Sequence, residues 1–294
     1  MTNPWLVRCA MCAVAVALGV SVARAQGPAD VPAVTVRGQT YTPRSILARN
    51  MGSEEDQTTA FPPHKIVGNI YYVGTRTLSS FLIVTPAGNI LINSTYERNV
   101  PTIAKSVAQL GLRLADVKIL LGTHAHGDHQ EGDALVKEMT RAQVVAMAED
   151  VPALQAIKPG GKEHPVDRVL RDGESVTLGG TTLVAHLTAG HTRGCTTWTT
   201  TAQEGGRSYN VVFACSLRAP GKISPAVQAE FERTYKAVRD LPCDVPLGDH
   251  PAQYNMHAKH ARLQAGGNPF IDPANCTAEA DIQESMYRAT LVLQ

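Results

Sequence analysis

The stretch Thr123-His124-Ala125-His126-Gly127-Asp128-His129 places three imidazoles and one carboxylate within six residues. All four groups bind borderline metals such as zinc. His124 and His126 are two apart, so their side chains point to the same side of an extended segment. Asp128 and His129 follow at once and can turn toward a second position. The spacing therefore predicts a site for two adjacent metal ions.

This ligand stretch follows a short apolar segment, residues 117–121, and precedes a helical pattern over residues 131–140. Gly122 breaks the apolar segment, as expected where a strand ends. Loops that join a strand to a helix are frequent places for chemistry, because a rigid scaffold positions their side chains. The placement favours a catalytic site over a structural one.

Two further histidines have similar surroundings. His191 follows the predicted strand 181–187, and His250 follows the apolar stretch 243–247, each close to a glycine. Two sets of three protein ligands would leave room for water on both metals, which is the open pattern of catalytic zinc. The candidate ligands are therefore His124, His126, His191, Asp128, His129 and His250.

The first 25 residues have the composition of a secretion signal. Arg8 precedes an apolar run over residues 9–22, and Ala23-Arg24-Ala25 is a small-x-small cleavage site. The run is shorter than the ~20 residues that a membrane span needs. We therefore expect residues 1–25 to be removed and the protein to be periplasmic or secreted. Residues 26–60 lack periodicity and predict an extended N-terminal arm, with a single domain over 61–294.

Without the signal, the chain has 25 basic and 26 acidic residues, because Arg8 and Arg24 leave the total of 27. No basic stripe is present, so nucleic acid is not an expected partner. We expect no membrane contact after signal removal, and the sequence predicts no oligomeric state. Four cysteines remain, and an oxidising compartment would allow one or two disulfides.

Strands in hairpins alternate with helical patterns along the rest of the chain. Antiparallel strands are predicted over 66–73, 80–85 and 89–93, and the hairpin 175–187 opens a second half. Helices are predicted over 101–110, 225–240 and 278–293 from their apolar spacing. The pattern predicts an α/β protein in which two sheets are sandwiched between helix layers.

The motifs now quoted resemble those of the metallo-β-lactamase-fold hydrolases, and specifically those of subclass B3. The most specific matches are residues 123–129, 190–198 and 249–251. The resemblance implies a four-layer αββα sandwich with two mixed sheets between helix layers. It implies one zinc ion on His124, His126 and His191. A second zinc ion is implied on Asp128, His129 and His250.

The resemblance also bears on the cysteines. Cys243 and Cys276 resemble the disulfide of subclass B3. Cys195 and Cys215 are expected to stay reduced, Cys195 as a packing residue and Cys215 as a buried strand thiol. A role for Cys215 as a soft metal ligand is the alternative.

The run His-x-His-x-Asp-His is shared with thioesterases, lactonases and phosphodiesterases of the same superfamily. Many of these resemble one another in a bridging aspartate at the end of the strand that corresponds to 211–216, where this chain has Cys215 and Ser216. Subclass B3 resembles this chain there. The implied activity is opening of the β-lactam ring of penicillins, cephalosporins and carbapenems, giving antibiotic resistance. Hydrolysis of a lactone or another ester is the alternative.

The implied nucleophile is a hydroxide on zinc, since a bound metal lowers the pKa of water toward ~7. Asp128 is the candidate catalytic residue that orients this hydroxide and relays a proton. Ser216 and Arg218 are candidates to bind the substrate carboxylate, although Arg218 has a solvated surface residue as its alternative role. Two loops, 75–80 and 156–164, are expected to frame the groove.

Overall fold

A computed structural model describes residues 31–294. The predicted signal peptide lies outside the described residues. None of the helices in the described part of the chain combines the length and apolar composition that a bilayer crossing requires.

The arm before the domain is folded, so the predicted extended conformation is wrong for most of it. A hairpin and two helices follow one another, namely β1 (Val34–Val36), β2 (Gln39–Tyr41), α1 (Pro43–Met51) and α2 (Glu54–Thr58). Thr42 caps α1 by accepting a hydrogen bond from the backbone N–H of Ser45. Ile46 then packs on Ile282 and Met286, so tertiary burial stabilises an arm whose sequence has little periodicity.

The first sheet has seven strands in chain order. They are β3 (His64–Val67), β4 (Ile70–Tyr72), β5 (Phe81–Thr85), β6 (Gly88–Ile92), β7 (Val117–Leu121), β8 (Gln143–Met147) and β9 (Arg168–Leu170). Pairing is antiparallel from β3 to β6 and parallel from β6 to β9. The helices of this half are α3 (Val100–Gln109), α4 (Gly127–Gln130), α5 (Asp133–Thr140) and α6 (Val151–Ala156).

The second sheet has five strands, again in chain order. They are β10 (Ser175–Leu178), β11 (Thr181–Leu187), β12 (Thr196–Glu204), β13 (Arg207–Ala214) and β14 (Val245–Gly248). Only β13 and β14 pair in parallel, since α7 (Pro225–Asp240) connects them. Two helices complete the described chain, α8 (Met256–Ala261) and α9 (Ala278–Leu291).

The sheets face each other across one apolar core, and helices cover their outer faces. Ile83 and Phe213 lie in the core between the sheets. The neighbouring Leu82 points to the other side and packs with Ile103 of α3, as the alternation of a strand requires. On the second sheet's outer side, Phe231 of α7 packs with residues of α9. The predicted αββα arrangement of two mixed sheets is confirmed.

One predicted strand is in fact a hairpin. The apolar run 66–73 contains Gly68, which has a φ of +54° and begins the turn between β3 and β4. A Cβ at this glycine would lie 2.8 Å from the carbonyl oxygen of Gln203. The close approach of the second sheet therefore requires glycine, and a continuous strand is excluded.

Candidate metal centre

The candidate ligands lie at the carboxyl ends of strands from both sheets. The stretch 123–129 follows β7 and continues into α4, while His191 follows β11 and His250 follows β14. Although these segments are far apart in sequence, the two facing sheets bring the strand ends together. The result is one cluster of imidazoles and carboxylates at the edge of the sandwich.

The cluster divides into two sets, which we call the first set and the second set. In each set, one ligand atom per residue lies within 4.8 Å of the ligand atoms of the other two residues. The first set is His124, His126 and His191, and the second set is Asp128, His129 and His250. These are the same two groups of three that the resemblance to subclass B3 implied.

Hydrogen bonds at Nδ1 orient two of the imidazoles. The Nδ1–H of His191 donates to the backbone carbonyl of Arg218 over 2.8 Å. The Nδ1–H of His250 donates to the carbonyl of Thr77 over 3.0 Å. Both rings thereby keep Nε2 as a free lone pair, which is the form that a metal ion requires. Through the carbonyl of Thr77, the loop 75–80 thus orients the ring of His250.

Burial keeps most of the ligand imidazoles neutral. It lowers the pKa of His126 and of His250 to about 4, assisted in each case by a neighbouring histidine. Burial and the same kind of repulsion hold the pKa of His191 well below its usual value. A neutral imidazole needs no proton removed before it binds a metal, so these three rings are prepared for ligation at neutral pH.

His129 and Asp128 form a charged pair in the second set. Burial alone would lower the pKa of His129, but the carboxylates of Asp128 and Asp249 raise it. Burial alone would raise the pKa of Asp128, yet His129 holds it below its usual range. His129 Nε2 and Asp128 Oδ2 are 3.2 Å apart. A cation of higher charge can replace the proton between them.

A buried carboxylate that the sequence analysis missed braces the first set. Asp150 Oδ2 accepts hydrogen bonds from the backbone N–H of Ala125 and from the hydroxyl of Thr192, both at 2.8 Å. Its Oδ1 accepts from the N–H of Gly194 over 2.6 Å. Asp150 therefore ties the loop of His124 and His126 to the loop of His191. Its position just after a strand was the only signal in the sequence.

A cavity of about 200 Å³ opens over both sets. Its wall includes all six candidate ligands together with Ser216 and Arg218. The arm contributes the rest of the wall, through Leu47, Asn50 and Met51 of α1. The loops 75–80 and 156–164 do not line this cavity, so the expectation that they frame the groove is wrong. The folded arm takes that place.

Two disulfides are present among the described residues. Cys243 and Cys276 are linked as predicted, with their Cα atoms 6.1 Å apart. Cys195 and Cys215 are also linked, with Cα atoms 5.8 Å apart, so the prediction that they stay reduced is wrong. They flank the paired strands β12 and β13, and antiparallel pairing brings such flanking positions within disulfide reach.

Comparison with known proteins extends these observations. The family model of the metallo-beta-lactamase superfamily matches residues 73–204. The native FEZ-1 metallo-beta-lactamase from Legionella gormanii is 41% identical, with a TM-score of 0.76 over 81% of this chain and 98% of that chain. BJP-1, a subclass B3 metallo-beta-lactamase of Bradyrhizobium japonicum, is 34% identical, with a TM-score of 0.74 over 82% of this chain and 99% of that chain.

Curated sequences give a more distant similarity. A hydroxyacylglutathione hydrolase of Methylobacterium sp. (strain 4-46) is 25% identical over 189 residues, or 63% of this chain. The match spans 65% of that relative's own length.

Proposed function

The chain belongs to the metallo-beta-lactamase superfamily and resembles its subclass B3, and from this premise we propose that it is a zinc-dependent hydrolase that opens the β-lactam ring. One observation carries the proposal. Among residues 31–294, the cavity over the two sets has a single carboxylate in its wall, that of Asp128. After β13, at the cavity edge, the chain has Ser216 and not the bridging aspartate expected of the superfamily's thioesterases and lactonases. This difference favours the β-lactamases of subclass B3.

The donor sets fit zinc. Imidazole nitrogens and one carboxylate are ligands that Zn²⁺ accepts, and three protein ligands per ion leave a position for water. The first set has three imidazoles, of which burial keeps those of His126 and His191 neutral, and the second set has an anionic ligand in Asp128. When bound, the two ions supply Lewis acidity and lower the pKa of water so that a nucleophile forms at neutral pH.

Asp128 is proposed to hold the attacking water and its proton. Its carboxylate lines the cavity beside both sets, and His129 keeps it ionised. An ionised carboxylate accepts a hydrogen bond from water and so orients the oxygen lone pair toward the substrate carbonyl. The proton taken up by Asp128 can then pass to the lactam nitrogen as the carbon–nitrogen bond breaks. No covalent intermediate on the protein is required.

Ser216 and Arg218 are proposed to bind the carboxylate that bicyclic β-lactams present beside the scissile bond. Both residues line the cavity, and Ser216 is nearly fully buried while Arg218 is exposed. A serine hydroxyl donates one hydrogen bond and a guanidinium can donate two in parallel to one carboxylate. The two residues thus offer donors on the side of the cavity that follows β13.

Export is proposed on two grounds. The first is the signal-like composition of residues 1–25, and the second is the pair of disulfides, which persist in oxidising compartments. A periplasmic or secreted location would place the enzyme where β-lactams arrive and would give antibiotic resistance. The intact mass of the protein purified from its own host should correspond to a chain that begins at Gln26. A mass that includes residues 1–25 would refute the export proposal.

Ester hydrolysis is the competing function, since a hydroxyacylglutathione hydrolase is among the relatives. The deciding experiment measures kcat/KM of the zinc-loaded protein for a chromogenic cephalosporin, a penicillin, a carbapenem, a lactone and a hydroxyacylglutathione thioester. We expect the β-lactams to be hydrolysed with the larger kcat/KM, and the His126→Ala variant to lose that activity. A larger kcat/KM for the thioester or lactone would replace the proposed function with the competing one.

A further inference from the structure

We infer that Asp249 is a positioning residue shared by both metal sets: its carboxylate orients His124 of the first set and His129 of the second. The inference rests on the proposed function only in that both sets hold zinc. Asp249 does not line the cavity, and no ligand role is assigned to it. It lies behind the ligands, 1% exposed, directly before His250.

The distances place one carboxylate against two imidazoles. Asp249 Oδ2 lies 3.3 Å from Nδ1 of His124. One ligand atom each from His124, His129 and Asp249 lie within 4.8 Å of one another. All three side chains are buried. Asp249 is thus near both rings, which belong to different sets.

In the rings of His124 and His129, the nitrogen on the cavity side is Nε2, and each Nε2 has a neighbour within its own set. His124 Nε2 lies 3.0 Å from His126 Nδ1, within the first set. His129 Nε2 lies 3.2 Å from Asp128 Oδ2, within the second set. Each ring therefore uses Nε2 on the metal side and keeps Nδ1 for the interior. An N–H at Nδ1 needs an acceptor there, because a buried unpaired donor is costly.

Nδ1 of His129 and Oδ2 of Asp249 are among the buried atoms of the described chain that lack a well-formed hydrogen bond, since the 3.3 Å approach of His124 Nδ1 to Oδ2 is not aligned as one. A donor and an acceptor left unpaired in the same enclosed space are complementary. Asp249 Oδ1 is meanwhile within 3.4 Å of the Asn93 amide nitrogen, which holds the carboxylate in place. With Nε2 of each ring held at its metal set, both Nδ1–H groups would donate to Asp249.

The role follows from the chemistry of metal-bound histidine. A carboxylate at Nδ1–H fixes the tautomer and raises the basicity of Nε2, and its loss commonly weakens metal binding about 10- to 100-fold. Because Asp249 serves one ring in each set, its removal should weaken both zinc ions. A residue that only stabilises the fold would not be expected to weaken zinc binding at both sites to the same extent.

Asp150 provides the matched control. It is also a buried carboxylate with several hydrogen bonds, but its partners are Ala125, Thr192 and Gly194. All three lie in the loops of the first set, and none is an imidazole. Asp150→Asn should therefore weaken zinc binding at one site and leave the other near its wild-type affinity.

The experiment titrates the metal-free full chain with zinc against a chromophoric chelator, without substrate. We expect Asp249→Asn and Asp249→Ala to lower both stepwise zinc affinities by about 10- to 100-fold, and Asp150→Asn to lower one. Co²⁺ absorption should change for both sites in the Asp249 variants. Weakening of one site only, or of neither, would overturn the shared role.

A measurement on the wild type covers the case in which a variant does not fold. Long-range ¹H–¹⁵N spectra of the zinc-loaded protein report the tautomer of each histidine. We expect His124 and His129 both to carry the proton at Nδ1, with exchange-protected signals. An Nε2–H tautomer at either ring would overturn the inference. Absence of β-lactam hydrolysis would refute the proposed function but would leave these zinc measurements unaffected.

Discussion

His191 Nδ1 donates a hydrogen bond to the backbone carbonyl of Arg218 over 2.8 Å. This contact joins a candidate metal ligand to the segment that is proposed to bind substrate. The backbone of Arg218 therefore serves the metal set, while its side chain lines the cavity. Because the two roles use different atoms, substitution of the side chain can test one role without removing the other.

The first prediction concerns metal content. Each chain should bind two zinc ions, because two sets of three ligand atoms are each gathered within 4.8 Å. A chelator should abolish hydrolysis, and zinc should restore it. Inhibitors that acylate an active-site serine should have little effect, since no nucleophilic serine is proposed. Elemental analysis that finds under half an equivalent of metal in a fully active preparation would contradict the mechanism.

The second prediction concerns the pH dependence of the metal-free protein. The folded-state pKa values of His126 and His250 are about 4, and that of His191 is also lowered. An unfolded chain binds these protons near pH 6.5. The unfolded state therefore takes up more protons as the pH falls from 6.5 toward 4, and stability decreases over that window. His129, whose pKa is raised, stabilises the fold increasingly as the pH falls toward 6.5 and adds little further stabilisation below that value, so it does not cancel the loss.

Thermal denaturation after chelation, measured at several pH values, checks this dependence. The midpoint should fall steadily below pH 6.5. His250→Asn is the matched variant, because it removes one group with a lowered pKa and should make the fall shallower. A denaturation midpoint that rises on acidification from pH 6.5 to 4 would contradict the lowered pKa values of His126, His191 and His250.

The third prediction concerns thiols. A chain that begins at Gln26 should label no cysteine after denaturation without reductant and four after reduction, since both disulfides are closed. The double variant Cys195→Ser/Cys215→Ser should lose about 3 kcal/mol of unfolding free energy, the chain-entropy value for a separation of 20 residues. Two labelled thiols without reductant would instead restore the expectation from the sequence.

The sequence was sufficient where local pattern and chemistry coincide. His124, His126, Asp128 and His129 follow an apolar strand within six residues, so the sequence alone predicts that these ligands lie together. His191 and His250 were also found, because each follows a strand pattern and lies near a glycine. The αββα layers followed from the alternation of hairpins and helices.

Other features depend on contacts between distant segments and were missed. Asp150 and Asp249 act through hydrogen bonds and close approaches to loops elsewhere in the chain. The cysteines 195 and 215 are neighbours only because β12 and β13 pair in a particular register. Residues 34–58 fold because Ile46 packs on an apolar surface of α9, about 240 residues later in the chain. Local propensity contains none of this information.

The fourth prediction concerns the arm. Leu47 lies on α1, lines the cavity and is 45% exposed, so it can cover an apolar substituent of the substrate. Leu47→Ser should raise KM about two- to fivefold for β-lactams with large apolar side chains, as expected for the loss of roughly 0.5–1 kcal/mol of apolar burial. Leu293→Ser alters a similarly exposed leucine that does not line the cavity. An equal KM change in both variants would exclude a direct contact by Leu47.

The last prediction concerns Arg218. Its guanidinium is exposed, so solvent screens an ion pair with the substrate carboxylate, and we expect a contribution of about 1 kcal/mol or somewhat more. Arg218→Ala should therefore raise KM roughly five- to tenfold for penicillins and carbapenems. If the pair forms equally in the ground and transition states, kcat should stay nearly unchanged.

Zinc content should not fall in this variant, because the carbonyl that His191 uses belongs to the backbone. Raising the salt concentration should increase KM more in the wild type than in Arg218→Ala, since only the wild type has the ion pair to screen. Arg193→Ala is the control, as Arg193 is exposed close to the first set but does not line the cavity. An unchanged KM in Arg218→Ala would assign the carboxylate to Ser216 and return Arg218 to the solvated surface.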